Sequence, residues 1–261
     1  MLKTIFVSSV LAVSCAMSFA QTPEQKGLDI AVESDKRDQG FDDSMVSLRM
    51  VLIDSKGTES PRKLRIKALE GEGEEGDKSL MIFDTPIDQK GVAMLTYTHK
   101  TKADDQWLYL PALKRVKKIS SKNKSGPFVG SEFAFEDISA QEVEKYKYKY
   151  LRDETYDGKD CFVVERYPTD RYSGYTKQVA WIDKEGYRPL KIDFYDRKDS
   201  LLKTLENKEY KKYLDKYWRP NISFMRNHQT GKATRLEYKD YEFKVGLNNK
   251  EFTKNSLKRA K

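Results

Sequence analysis

The sequence has little of the side-chain chemistry on which most enzymes depend. Its 261 residues include only two histidines and two cysteines, and both His99 and His228 lie in polar, turn-like stretches. There is no H-E-x-x-H, G-x-S-x-G or P-loop motif, and the acidic residues lack the spacing of metal ligands. The sequence therefore indicates no catalytic residue, no metal and no cofactor, and it predicts a protein that is not an enzyme.

Long apolar runs are equally scarce. The one exception lies within residues 1–20, where the run follows Lys3 and closes in a small-x-small triplet that ends at Ala20. This is the layout of a bacterial secretory signal peptide cleaved after Ala20, and the run is too short to span a hydrocarbon core of roughly 30 Å. A lipoprotein signal ending at Cys15 is the less favoured alternative, because Ala12 stands where leucine is preferred. The sequence thus predicts export to the periplasm.

Residues 21–261 are expected to form a single domain. They contain no internal repeat, no linker and no further apolar segment long enough for a transmembrane helix. Cys161 is the one cysteine among them, so an intrachain disulfide cannot staple the fold. Its context, CFVVERY, is typical of a strand, and it indicates a buried small hydrophobic residue rather than a nucleophile.

Charge, by contrast, is abundant and of both signs. The chain has 49 basic and 41 acidic residues, a formal net charge of +8, and 34% charged residues in all. Such a balance usually describes a solvated surface. Export argues against nucleic acid as a partner, which leaves anionic lipid headgroups as the natural target of any basic surface.

Most of the domain shows the period of two that is typical of β-strands. Residues 45–54 and 62–70 alternate apolar with polar side chains, and similar segments follow at short spacing between Gly-, Asp-, Asn- and Pro-containing turns. Helical patterns occur only after Pro23, with a stop near Gly40, and over the last ten residues. Roughly eleven to thirteen strands without βαβ alternation predict a mainly β protein with one large antiparallel sheet.

A sheet of this size has one face to water and one face to something apolar, and few helices are available to cover it. The sheet must either curl onto itself or leave a cavity. Because inward strand residues commonly only pack, an ordinary core role is the alternative for each candidate cavity residue. The candidates are Leu48, Met50, Leu52, Leu64, Ile66, Trp107 and Tyr109.

The densest basic run lies between two aromatic segments, WLYLP and the phenylalanines that follow it. One interpretation is a hairpin whose strands join the core while its turn carries solvated lysines. The other is a mobile loop at a cavity mouth, where cations meet anionic headgroups or a partner and aromatic side chains meet acyl chains. The basic residues are Lys114, Arg115, Lys117, Lys118, Lys122 and Lys124.

Several stretches together resemble one known family. They are WLYLPALKRVKKIS (107–120), SKNKSGPFVGSEFAFEDI (121–138), GLDIAVESDKRDQGF (27–41), DGKDCFVV (157–164) and VAWIDKEGYRPL (179–190). The resemblance is to the LolA-like outer membrane lipoprotein-sorting proteins, and it covers essentially the whole mature chain. It implies a curved, incomplete antiparallel β-barrel with a few helices covering the open side over an apolar cavity. The acyl-binding residues of the housekeeping carrier do not align onto particular positions here.

The leading hypothesis that follows is a periplasmic carrier, or chaperone, that binds a lipid or a lipoprotein acyl chain in an apolar cavity during transport toward the outer membrane, without catalysis. A second hypothesis is a soluble accessory subunit that docks on an inner-membrane exporter of the resistance-nodulation-division (RND) type and carries no lipid. The third, an envelope lipid hydrolase, is disfavoured because no nucleophile motif is present. Transient contact with a membrane surface is compatible with the first two.

Overall fold

The computed structural model describes residues 21–73 and 75–259, so the predicted signal peptide and Cys15 lie outside the described residues. The described part contains helix α1 (Pro23–Asp38), thirteen strands and helix α2 (Lys254–Arg259). The strands are β1 (Asp43–Ile53), β2 (Glu59–Leu69), β3 (Glu75–Thr85), β4 (Ala93–His99), β5 (Asp105–Leu110), β6 (Arg115–Ile119), β7 (Tyr146–Tyr156), β8 (Lys159–Pro168), β9 (Tyr175–Asp183), β10 (Pro189–Asp196), β11 (Leu201–Tyr213), β12 (Tyr217–Asn227) and β13 (Ala233–Phe243).

All thirteen strands belong to one antiparallel sheet, as the sequence pattern predicts. Neighbours in sequence pair with each other, except that β1 pairs with β13 and β6 does not pair with β7. The order is therefore β6-β5-β4-β3-β2-β1-β13-β12-β11-β10-β9-β8-β7, and the sheet remains open between its two edge strands, β6 and β7. The predicted incomplete barrel is confirmed.

One face of the sheet carries the main apolar core. The strands that supply its buried residues are β1 to β4, β8 to β10, β12 and β13, and these residues form a single contiguous cluster. Strands this far apart in the order can share one cluster only if the sheet curls around it. We call the face that carries this cluster the inner face.

Helix α1 lies against edge strand β7. Thr22 caps the helix by accepting a hydrogen bond from the backbone N–H of Gln25 at 3.1 Å, and Pro23 occupies the first turn, where its missing N–H costs nothing. Ile30 enters the inner core. A Cβ atom on Gly27 would lie 2.8 Å from the backbone nitrogen of Tyr150, so glycine is needed for this close approach.

The rest of the inner face is covered by an irregular segment. Residues 120–145, which join β6 to β7, contain only short 3₁₀ turns and one isolated bridge, and we call them the plug. Phe128 of the plug is fully buried, and its ring centroid lies 6.0 Å from that of Phe83 and 5.7 Å from that of Phe135. Phe133 is also buried in the same core. The plug therefore covers part of the inner face with its own aromatic side chains.

The C-terminal segment packs on the opposite, outer face. Phe252 and Leu257 are fully buried there against Leu80, Leu95 and Trp107. The expectation that helices cover the open side is thus met by α1 but not by α2. Within the described part of the chain, neither helix combines the length and apolarity that crossing a membrane requires.

Candidate functional site

The inner face brings together most of the predicted cavity residues. Leu48, Met50 and Leu64 are buried members of its core, and Leu52 and Ile66 are partly buried and pack against it. They lie together because β1 and β2 pair with Leu48 opposite Leu64 and alternate side chains between the two faces.

Trp107 and Tyr109 lie on the other face, which corrects the expectation for these two residues. Trp107 pairs with Leu95 across the sheet, and both belong to the outer cluster that α2 covers. Their neighbours Leu108 and Leu110 point the opposite way and pack against the inner core instead. The strand was predicted correctly, but the wrong set of alternate residues was assigned to the inner face.

A buried ion pair fastens the plug to the inner face. The Nζ atom of Lys203, in β11, lies 2.6 Å from Oδ2 of Asp137, in the plug, and the two side chains are only 4% and 6% exposed. Lys203 also donates a hydrogen bond to the backbone carbonyl of Glu132 at 2.9 Å, and the hydroxyl of Tyr175 donates to Asp137 at 2.9 Å. Burial, together with the charge of Asp137, raises the pKa of Tyr175, so this hydroxyl stays protonated as a donor.

Further polar contacts hold the plug along its length. Thr234 accepts a hydrogen bond from the backbone N–H of Glu132 at 3.0 Å, while the Asn227 amide donates to the carboxylate of Glu132 at 2.7 Å. Arg62 donates to the carbonyl of Val129 at 2.5 Å, and Gln106 donates to a plug carbonyl at 2.9 Å. Three of these four bonds go to the irregular backbone of the plug, where they satisfy polar groups that would otherwise be buried without partners.

Glu136 anchors the plug to the start of β9. Its carboxylate accepts hydrogen bonds from the hydroxyl of Ser173 at 2.7 Å and from the N–H of Gly174 at 2.8 Å. Burial raises the pKa of Glu136 despite these bonds. The aromatic side chains of the plug thus fill the inner face, and its carboxylates are held at specific points on the sheet.

The predicted basic run divides into two parts. Lys114, Arg115, Lys117, Lys118 and Lys122 are exposed around the β5–β6 turn, along edge strand β6 and at the start of the plug, and Lys118 pairs with an aspartate at 2.7 Å. Lys124 is different, because it lies in the plug, is partly buried and pairs with Asp170 of the β8–β9 turn at 2.8 Å. Charge alone did not separate a structural lysine from solvated ones.

Among residues 21–73 and 75–259, no group of three His, Cys, Asp or Glu side chains is placed to hold a metal ion. Cys161 is fully buried in a second outer-face cluster, with Val163 and Trp181, and burial raises the pKa of its thiol. The thiol is therefore poorly suited to act as a nucleophile.

Comparison with known proteins identifies the fold and the family. A family model described only as that of an uncharacterised protein matches residues 75–259. A solved structure from Vibrio parahaemolyticus, described as an outer membrane lipoprotein-sorting protein domain, is 56% identical over 90% of this chain and 100% of its own, with a TM-score of 0.88. The chain belongs to the LolA-like outer membrane lipoprotein-sorting family.

Two further structures share this architecture with our LolA-like chain. A DUF1329 family protein from Desulfovibrio piger is 30% identical over 91% of this chain and 100% of its own, with a TM-score of 0.86. A LolA superfamily protein from Nitrosomonas europaea is 24% identical over the same shares of the two chains, with a TM-score of 0.71, and shows the fold. Among curated proteins, none matches the chain significantly.

Sequence reasoning about this LolA-like chain missed the ion pair that holds the plug. One signal was present, because Lys203 stands in register with Leu205 in LLKTLENKEY and so occupies an apolar position of the strand pattern. A second signal was the acidic pair Glu136–Asp137 directly after the aromatic residues of the plug. A lysine in an inward position predicts a buried acid as its partner.

The LolA-like chain also has a carboxyl group with a strongly shifted pKa. Asp77 accepts a hydrogen bond from the N–H of Gly71 at 2.9 Å, and burial, with repulsion from Glu142 at the far end of the plug, raises its pKa to about 6. The folded state therefore favours the neutral carboxyl, and the stability that this preference contributes is complete below about pH 4 and is lost as the pH rises through about 6. Stability should fall over this interval.

We expect Asp77→Asn to stabilise the fold by about 2 kcal/mol at pH 7.5, because asparagine keeps the acceptor oxygen without the charge. At pH 4 the gain should vanish. Urea unfolding at the two pH values measures the difference, with Asp88→Asn on the exposed β3–β4 turn as the control. An equal gain at both pH values would contradict the assignment.

Proposed function

We propose that this protein is a periplasmic carrier that shelters the acyl chain of a lipid or lipoprotein on the inner face of its sheet. The observation that carries the proposal is a continuous apolar face, to which nine strands contribute buried residues, that is covered mainly by an irregular segment of the same chain. The lipoprotein-sorting description of the Vibrio parahaemolyticus structure supports it. In this proposal the acyl chain is held by burial of its apolar surface and not by a covalent bond.

The plug provides the means of loading and release. Its aromatic residues Phe128 and Phe133 occupy the inner core where an acyl chain would lie. An acyl chain that displaces these residues exchanges one apolar contact for another. Much of the free energy gained by burying the acyl chain, about 0.8 kcal/mol per methylene, is therefore offset. A carrier needs this balance, because a chain bound with the full burial energy could not be delivered.

Lipid analysis tests the carrier directly. The protein is purified from the periplasm under native conditions, its mass is measured by native mass spectrometry, and bound lipid is extracted. We expect acyl lipid in near-stoichiometric amount, or its uptake from vesicles when the protein is isolated empty. A lipid-free protein that accepts nothing from vesicles would exclude the proposal.

The exposed part of the basic run favours a second function, contact with a membrane surface or with an inner-membrane RND-type exporter. Lys114, Arg115 and Lys117 are exposed and make no ion pair within the described residues. They lie at the sheet edge, where a surface can reach them without disturbing the core. Each can contribute about 1 kcal/mol at an anionic surface.

We expect the triple change Lys114→Gln, Arg115→Gln and Lys117→Gln to weaken binding to phosphatidylglycerol vesicles by more than about tenfold at low salt. The difference should shrink at high salt, because the attraction is screened. Vesicle sedimentation measures it. A control changing Lys36, Lys211 and Lys212 to glutamine removes the same charge from other exposed positions. Equal binding by the two triple variants would mean that the run is only a solvated surface.

A further inference from the structure

A cleft of about 680 Å³ opens where the plug meets the turns at one end of the sheet. Plug residues around Phe133 form one wall, and the β10–β11 turn with Arg197 and Lys198 forms the other. Lys203 and Lys232 complete the basic lining. The cleft is therefore lined by four basic side chains.

Within the part of the chain that the structure describes, three of these cations form no ion pair. Lys198 and Lys232 are exposed and form no ion pair with any residue that the structure describes. Arg197 donates from Nε and Nη2 to the backbone carbonyls of Ser173 and Tyr172, both at 3.1 Å, which fixes its guanidinium beside the cleft without neutralising it. A guanidinium held in place beside two exposed ammonium groups is an arrangement that suits an oxyanion.

The two acidic residues of the lining are already engaged. Asp196 accepts hydrogen bonds from the backbone N–H groups of Lys198 and Ser200, at 2.8 and 3.0 Å, and so serves its own turn. Glu132 accepts from the side-chain amide of Asn227 at 2.7 Å. These hydrogen bonds do not remove the charge of either carboxylate. Because Lys203 is paired with Asp137, the lining keeps three cations against two carboxylates, and the potential of the cleft stays positive.

The floor of the cleft belongs to the inner face. Phe133 and Tyr175 line the cleft and are buried members of the inner core, and Leu202 lines it while packing against that core. A ligand that enters here therefore meets charge at the mouth and apolar side chains below. A basic mouth above an apolar floor fits a molecule with an anionic head and an apolar tail.

We propose that the cleft binds the phosphate headgroup of an anionic lipid, whose acyl chain enters the inner face there as the plug moves aside. The headgroup meets Arg197, Lys198 and Lys232, and the first part of the chain meets Leu202 and Phe133. This assignment rests on the proposed carrier function and adds to it the class of the cargo and the point of entry. It predicts that the protein selects lipids by charge.

The test compares two soluble single-chain lipids that share an acyl chain. We expect lysophosphatidylglycerol to bind about tenfold more tightly than lysophosphatidylcholine, whose choline cancels the charge of its phosphate. Titration calorimetry at about 0.15 M salt measures both affinities. In the double variant Lys198→Gln and Lys232→Gln, the preference should fall to less than about threefold. The matched control, Lys36→Gln and Lys258→Gln, removes the same charge elsewhere and should keep the preference.

The outcomes separate the two proposals. Binding of neither lipid overturns the carrier function itself. Equal binding of both lipids by the unchanged protein leaves the carrier intact and overturns the headgroup site. A preference that survives in the Lys198 and Lys232 variant also overturns it. Inorganic phosphate is the last arm: if it competes as strongly as the lipid does, the cleft is a site for free phosphate and not for a headgroup.

Discussion

Replacing Lys203 with methionine is expected to destabilise the protein by about 3 to 5 kcal/mol. Methionine retains most of the volume of lysine, so the loss comes from the charge and not from a cavity. The change leaves the carboxylate of Asp137 in the core without its cation, and this is costly because that side chain is only 6% exposed. It also removes the donor to the carbonyl of Glu132, which leaves a second buried group unpaired.

The effect should be concentrated in the plug. Lys203 contacts the plug at Glu132 and Asp137, so its loss removes the tie between β11 and the centre of the segment. Urea unfolding gives the loss of stability, and hydrogen exchange in the folded state should show faster exchange over residues 120–145 than over β1 or β2. Loosening of this kind would also speed the uptake of lipid.

Lys208→Met is the matched control, because Lys208 lies on the same strand and pairs with Glu206 at the surface, at 3.1 Å with 52% of its side chain exposed. An exposed pair contributes little, so a loss below about 1 kcal/mol is expected. Adding Asp137→Asn to Lys203→Met should recover part of the lost stability by removing the isolated charge. A loss at Lys203 no larger than that at Lys208 would show that the buried pair is unimportant to the fold.

The sheet and its inner face were predictable because strand alternation is a local property. Leu48 in β1 and Leu64 in β2 have polar residues on both sides, and Met50 stands two residues from Leu48 and from Leu52, so their common face follows from the period of two. In β5 the same rule fails, because Trp107 and Leu108 are both apolar and both faces of the strand are covered, one by the plug and one by the segment around Leu257. Alternation cannot choose a face where both are buried.

The position of the plug could not be predicted from the sequence, for a different reason. Its residues, from Ser120 to Lys145, follow neither helix nor strand period, and its position depends on contacts with strands far away in the chain. The tie between Lys203 and Asp137 spans 66 residues of sequence. A prediction from composition places every lysine on the solvated surface. This is correct for Lys114 but not for Lys203 or Lys124. Fold and family were accessible from the sequence, and the covering of the inner face was not.

A disulfide that locks the plug is expected to abolish lipid uptake. The positions are Ser125 in the plug and Gly174 at the start of β9, because a Cβ atom on Gly174 would lie 2.8 Å from that of Ser125. The mean Cβ separation in disulfides is about 3.8 Å, so the two chains need to part by only about 1 Å. Gly174 has no left-handed backbone angle that would oppose a side chain. Cys161 is fully buried and should not compete for pairing.

The same molecule then provides both arms of the experiment. In the reduced double variant Ser125→Cys and Gly174→Cys, the plug is free to leave the inner face, and uptake of a fluorescent acyl lipid from phosphatidylglycerol vesicles should proceed. Oxidation should suppress uptake, and a reductant should restore it. The single variant Ser125→Cys, treated with the same oxidant, controls for damage to other residues.

The locked form distinguishes a moving plug from a fixed one. If the acyl chain lies where Phe128 and Phe133 now pack, it cannot enter while a covalent bond holds the segment three residues before Phe128. If the oxidised protein takes up lipid as fast as the reduced one, the chain must bind without displacing the plug, and the inner face would be an ordinary core. An engineered disulfide can raise or lower stability, so urea unfolding of the oxidised and reduced forms is measured beside uptake, and a loss of uptake without a loss of stability cannot be attributed to unfolding. Uptake that follows the redox state of this one bond would tie transport to the movement of the plug.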